Sequence, residues 1–233
     1  MTQGPIENAP HERIRVEIDA TSSVSALLCT PDGAWAGFVF AHGAGAGMTH
    51  AFMKRFADGL AERGIATLRY QFPYMERGSK RPDTPSMAHA AVRAAVAEAA
   101  RRWQRLALFA GGKSFGGRMT SQAQALSPLP GVRGLVFVGF PLHPAGKPAD
   151  ERGAHLFEID CPMLFLQGTR DELASPEWMQ RLAERLGKDR ATLAWVDDAD
   201  HAFHVRARSG RTDAQATAAM LDVMTAWARE HGA

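Results

Sequence analysis

Cysteine is scarce in this chain, with two residues, Cys29 and Cys161, among 233. A disulfide-stapled secreted scaffold is excluded. Each thiol lies in or beside an apolar run, which predicts burial rather than a bridge or a metal site. Excess charge is lacking too. Lys and Arg number 27 against 25 Asp and Glu, a net +2, which leaves no electrostatic footprint for nucleic acid or an anionic membrane. The densest basic cluster, Arg101, Arg102 and Arg105, reads as the solvated end of a helix. No stretch approaches the roughly 20 apolar residues of a membrane-spanning helix. The first residues, Met1 to Asn8, are polar and predict no signal peptide, so the cytoplasm, with its thiols reduced, is the expected compartment. Internal repeats and low-complexity linkers are also missing.

What the chain does have is a composition for a large core. Hydrophobic residues make up 45% and charged residues 22%, and a chain this long buries roughly 70–75% of its unfolded surface. A single domain over residues 1–233 is expected. Two loops are longer than average, Pro73 to Pro85 and Pro141 to Glu151, and long ordered loops usually carry function.

Between these loops two periodicities alternate. Ile14–Ile18 and Val24–Cys29 predict a hairpin. Gly37–Ala41 is a short apolar run of the kind buried on both faces of a sheet. Phe52, Phe56 and Leu60 recur at helical spacing, and Gly64 closes that helix. Strands are predicted at Ile65–Phe72, Leu106–Ala110, Gly134–Gly139, Met163–Gln167 and Thr192–Val196. Helices are predicted from Thr84-Pro85 through Trp103, over Phe115–Leu126, from Ser175-Pro176 to Gly187, and over Ala214–Trp227, with Thr84 and Ser175 as caps. A hairpin followed by βα units gives an α/β protein. Its mostly parallel central sheet has about seven or eight strands, with helices on both faces. Ligands of such sheets bind beyond the carboxyl ends of the strands.

Chemistry gathers at those ends. After Leu106–Ala110, Gly112-Lys113-Ser114-Phe115-Gly116 matches G-x-S-x-G, a tight strand-to-helix turn that exposes a nucleophilic serine at a helix N-terminus. A phosphate-binding loop would need glycine where Ala107 stands. A dinucleotide fingerprint at His42–Gly47 would need glycine where Met48 stands. The His42-Gly43-Ala44-Gly45 segment instead suits an oxyanion hole, with N–H groups from Ala44 and Phe115; Gly45 is an equal alternative to Ala44. Asp171 follows Met163–Gln167, and His201 follows the last strand. The order Ser114, Asp171, His201 is that of a serine-hydrolase triad built on parallel strands. Glu172 and His204 are the rival acid and base. His201 and His204 as a metal pair are disfavoured by their place after a strand. Asp197, Asp198 and Asp200 read as a solvated turn.

Five segments, His42–Gly47, Gly112–Arg118, Phe140–Pro148, Gln167–Asp171 and Ala199–Phe203, resemble the α/β-hydrolase superfamily, close to dienelactone-hydrolase-like enzymes. More narrowly they are similar to the group that includes the testis-expressed protein 30 and the hydrolase-like part of a chromatin-complex (NSL) subunit. The resemblance implies the α/β-hydrolase fold without a large lid and a serine hydrolase acting on small carboxylic esters or related acyl bonds. It needs no cofactor and no metal. A non-catalytic interaction protein that kept the fold is the alternative. The two long loops are expected to bring Met75, His143, Met87 and Trp178 toward the substrate, with His143 either lining the pocket or bracing its loop.

Overall fold

In the computed structural model, which describes residues 10–232, the alternation resolves into one eight-stranded sheet. The strands are β1 (Glu12–Glu17), β2 (Ser23–Cys29), β3 (Ala36–Ala41), β4 (Ile65–Tyr70), β5 (Ala107–Lys113), β6 (Val132–Val138), β7 (Met163–Gly168) and β8 (Ala191–Val196). Their spatial order is β1-β2-β4-β3-β5-β6-β7-β8. The β1–β2 and β2–β4 pairings are antiparallel, and all others are parallel. The chain starts at the antiparallel edge with β1 and β2, enters the parallel part at β3, steps back outward to β4, then crosses β3 to lay down β5 through β8. That reversal leaves a crevice between the carboxyl ends of β3 and β5, where ligands of open sheets bind.

Among the described residues six α-helices flank the sheet: α1 (Ala51–Ala61), α2 (Pro73–Glu76), α3 (Pro85–Arg102), α4 (Phe115–Leu126), α5 (Pro176–Leu186) and α6 (Asp213–His231). Strand β3 shows how one sequence fills two cores. Val39 and Ala41 join the cluster under α3, α4 and α5, while Phe38 and Phe40 join the cluster under α1 and α6. Successive side chains of a strand alternate between faces, so a strand covered on both sides has no polar position to spare. Each fully buried phenylalanine stabilises the fold by about 1.5–3 kcal/mol.

The expected elements recur with shifted ends. β5 extends through Gly111 and Gly112 to Lys113, because glycine lets the strand pass close to its neighbours. α6 runs four residues beyond Trp227 to His231 and opens with a full capping box between Thr212 and Gln215. Neither Thr84 nor Ser175 caps its helix through the side chain; proline at the first turn carries both starts. Two short helices fall inside the predicted loops or at their edge, α2 and a 3₁₀ helix over Glu151–Glu158. Apart from that 3₁₀ helix, the connection from β6 to β7 is irregular, so no large lid covers the crevice among the described residues. Cys29 is buried and Cys161 half-buried, with no disulfide between them. No helix among the described residues is long and apolar enough to cross a membrane.

Candidate active site

Ser114 sits at the junction of β5 and α4 with φ +50° and ψ −115°. A non-glycine residue there costs about 1–3 kcal/mol and persists only when its surroundings force it. The neighbouring backbone supplies that force. The Ser114 N–H donates to the Val138 carbonyl at 3.1 Å, and its own carbonyl accepts from Arg118 at 3.1 Å. A Cβ on Gly112 would come within 2.6 Å of the Ala41 oxygen, and one on Gly116 within 2.6 Å of the Ala41 and His42 oxygens. These two positions must be glycine for the turn to close on β3.

The three residues singled out from strand ends meet here. His201 Nε2 lies 2.8 Å from Ser114 Oγ, and His201 Nδ1 lies 2.7 Å from Asp171 Oδ2. An ionised carboxylate only accepts, so Nδ1 carries the proton and the Nε2 lone pair faces the serine hydroxyl. Asp171 is buried, at 3% exposure. Its Oδ2 also accepts from Gln167 Nε2 at 2.6 Å, and its Oδ1 accepts from the Leu173 N–H at 2.8 Å. Gln167 in turn accepts from the Phe140 N–H at 2.9 Å. This glutamine escaped the sequence reading, although a polar residue closing the apolar run Met-Leu-Phe-Leu was the available signal.

His201 is presented by a tight loop. The Asp200 carboxylate accepts from the N–H groups of Ala202 and His204, both at 2.9 Å. Asp198 and Phe203 take positive φ values of 59° and 65°. Asp198 also pairs with Arg206. Of the three aspartates expected in a solvated turn, only Asp197 is simply exposed; the other two shape the turn. The loop lies hard on the sheet, because a Cβ on Gly168 would meet the Ala199 oxygen at 2.4 Å. His204 points elsewhere, to Asp213 at 2.6 Å, and that carboxylate raises its pKa. Glu172 is exposed and makes no contact with His201.

The segment after β3 lies beside the serine. A Cβ on Gly43 would lie 3.8 Å from Ser114 Cβ. Buried His42 fixes this segment: Nδ1 donates to the Gly43 carbonyl at 2.8 Å, and Nε2 accepts from the Phe72 N–H at 3.0 Å. Burial pulls its pKa down to about 4, so the ring is neutral. The Gly45 N–H is committed to Tyr74 Oη at 3.3 Å. The Ala44 and Phe115 N–H groups donate to no described residue. Tyr74 was a second residue missed from sequence; its aromatic character inside a polar loop was the only cue.

Residues assigned to the substrate pocket fare differently. His143 is 2% exposed. Its Nδ1 donates to the Pro144 carbonyl at 2.9 Å, and its Nε2 accepts from the Ser175 N–H at 2.8 Å. With both ring nitrogens spent on backbone, it braces the loop after β6 against the one carrying Asp171. Met75, within α2, is half-buried and packs on the core. Met87 lines a cavity of about 390 Å³ between the β1–β2 hairpin and α2, together with Arg15 and Glu76; none of Ser114, Asp171 or His201 borders it. Trp178 lies under the guanidinium of Arg181, 5.6 Å from its ring centroid. Among the described residues, no group of three or more His, Cys, Asp or Glu side chains is arranged to hold a metal ion.

Comparison with known proteins follows from this geometry. A family model described as an alpha/beta hydrolase domain matches residues 34–229. The dienelactone hydrolase of Anabaena variabilis superimposes with a TM-score of 0.77 at 18% identity, covering 97% of this chain and 100% of that one. The esterase domain of a Rhodothermus marinus protein gives 0.73 at 18% identity, covering 96% and 100%. An α/β serine hydrolase without lid from Xanthomonas campestris gives 0.70 at 19% identity, covering 96% and 98%. At these identities the likeness is one of fold.

Proposed function

Because this chain belongs to the alpha/beta hydrolase family, we propose that it is a serine hydrolase cleaving small carboxylic esters or related acyl bonds. One observation carries the reading: the unbroken path from Ser114 Oγ through His201 to buried Asp171, with steps of 2.8 and 2.7 Å. Ser114 attacks the acyl carbon while His201 Nε2 takes its proton. Asp171 holds the Nδ1–H tautomer and favours the imidazolium that forms. The tetrahedral oxyanion is received by the uncommitted N–H groups of Ala44 and Phe115. Commitment of the Gly45 N–H to Tyr74 favours Ala44 as the loop donor. The imidazolium then protonates the leaving group, and a water molecule, activated by the same histidine, releases the acyl-enzyme.

Within the family, the segment Phe140–Pro148 supports kinship with the testis-expressed protein 30 group. Absence of a large lid supports small, soluble substrates, since little apolar wall remains to bury a long chain. Each methylene adds about 0.8 kcal/mol only while it has room to be buried. The test is a fluorophosphonate probe followed by p-nitrophenyl esters of graded acyl length. Labelling lost in Ser114→Ala, and kcat/KM highest for short acyl chains, is the expected result. No labelling of the parent protein would leave only the retained fold, and preference for long-chain esters would refute the substrate class.

A further inference from the structure

The residue before the elbow serine carries a charge that is not spent on solvent. Lys113 ends β5, and its Nζ donates to the backbone carbonyl of His201 at 2.6 Å. The same ammonium lies 5.3 Å from the centroid of the Phe203 ring. A side chain on Gly139 would come within 3.0 Å of Nζ, and one on Gly43 within 3.6 Å of Lys113 Cγ. The lysine therefore threads between the ends of β3 and β6 to reach the loop after β8. No carboxylate forms an ion pair with it among the described residues.

The loop it reaches needs holding. It contains two non-glycine residues at positive φ, Asp198 and Phe203. The imidazole bonds orient the His201 ring, but they do not restrain the backbone that carries it. The Lys113 contact does, and it anchors that backbone to the residue adjoining Ser114. We propose that Lys113 is a positioning residue whose ammonium fastens the His201 loop to the nucleophile strand, so that base and nucleophile are in register before substrate binds. The proposal rests on the hydrolase reading above.

A charged hydrogen bond is stronger than a neutral one, so the fastening depends on the protonated form. Burial pulls the Lys113 pKa down to about 8, while Asp171 and Asp200 favour the charged form. The other titratable group facing it is His201 itself; Gly43 and Gly139 bring none. Activity therefore declines as the pH rises through about 8.

The test compares Lys113→Met, which keeps the apolar stem and drops the charge, with Lys113→Arg, which keeps the charge. kcat and KM for a short-chain p-nitrophenyl ester are followed across pH, with amide hydrogen exchange of residues 198–204 measured in parallel. Lys113→Met should lose about 10- to 100-fold in kcat at neutral pH, with KM nearly unchanged, the scale of a small misplacement of catalytic groups. Its alkaline decline should vanish and exchange in the loop should quicken. Lys113→Arg should recover most of kcat and move the decline to higher pH. Parent-like kcat in Lys113→Met, equal losses in both variants, or unchanged loop exchange would each overturn the proposal. A parent protein that neither hydrolyses esters nor takes the fluorophosphonate label would refute the hydrolase reading instead, and loop exchange would then still decide whether Lys113 holds the loop.

Discussion

Helix α4 carries two serine–histidine contacts of the same length. Ser114 Oγ lies 2.8 Å from His201 Nε2 at one end, and Ser121 Oγ lies 2.8 Å from His155 Nε2 two turns on. Distance does not distinguish them, but their surroundings do. Ser121 also donates to the Arg118 carbonyl at 2.9 Å, a bond that ties its proton into the helix. Its histidine has no carboxylate behind it among the described residues. Burial, with Arg118 and His89 nearby, pushes the His155 pKa down to about 4, so accepting a proton there is opposed. His201 Nδ1 has the Asp171 carboxylate behind it, and Ser114 stands next to N–H groups with no other duty. A serine near a histidine becomes a nucleophile only where both the departing proton and the arriving negative charge are provided for.

Separating the two contacts by substitution gives the largest effect first. Ser114→Ala should lower ester hydrolysis by about a million-fold, leaving only binding and the oxyanion donors, with the circular dichroism unchanged. Full activity in that variant would put the chemistry elsewhere. Asp171→Asn should cost about 10⁴-fold in kcat, because an amide does not hold the Nδ1–H tautomer; steady-state kinetics on the same ester measure it. A loss under about tenfold would mean that Asp171 serves the fold rather than the base.

A smaller effect is expected from acid. His42 and His155 are both held neutral, with pKa values near 4 against about 6.5 in the unfolded chain. Below about pH 6.5 the unfolded chain binds protons that the folded chain refuses, so this stability is complete above 6.5 and is lost as the pH falls toward 4. For His42 the loss amounts to about 3 kcal/mol. Urea midpoints measured down through that window should fall, and His42→Gln should make the fall shallower. The smallest effect belongs to Ser121→Ala. Activity should stay within about two-fold, while stability drops by about 1–2 kcal/mol because His155 loses its partner in a buried setting. Loss of activity without loss of stability would invert the comparison.

The sequence reading recovered all eight strands because their apolar runs are short and bounded by glycine, proline or charge. Ser114, Asp171 and His201 were legible for a topological reason. Each follows a predicted strand, and parallel strands bring those positions to one edge of the sheet. What escaped were residues whose role depends on the third dimension. Gln167 reads as the tail of an apolar strand until Asp171 folds back over it. Lys113 fills the unspecified position of the elbow motif, and only the approach of the His201 loop gives it a partner. His143 could line the pocket or brace its loop on the sequence alone, because that loop leaves the sheet beside the serine; only the structure shows both its nitrogens turned to backbone. Short helices within proline-rich segments, such as α2, carry too few residues for periodicity to register.

The wide spacing of the three residues along the chain has a consequence for how the protein is made. Ser114 is separated from His201 by 87 positions. The elbow needs only β3, β5 and β6 around it, since its turn is closed by Ala41, His42 and Val138. Asp171 and His201 arrive on β7 and β8, the last two strands to be synthesised and the outermost at that edge. Chains are made from the N-terminus, and a domain folds as a unit. On the proposed reading, the nascent chain holds a serine without a base until its final third has been made and docked, and reactivity comes only with completed folding.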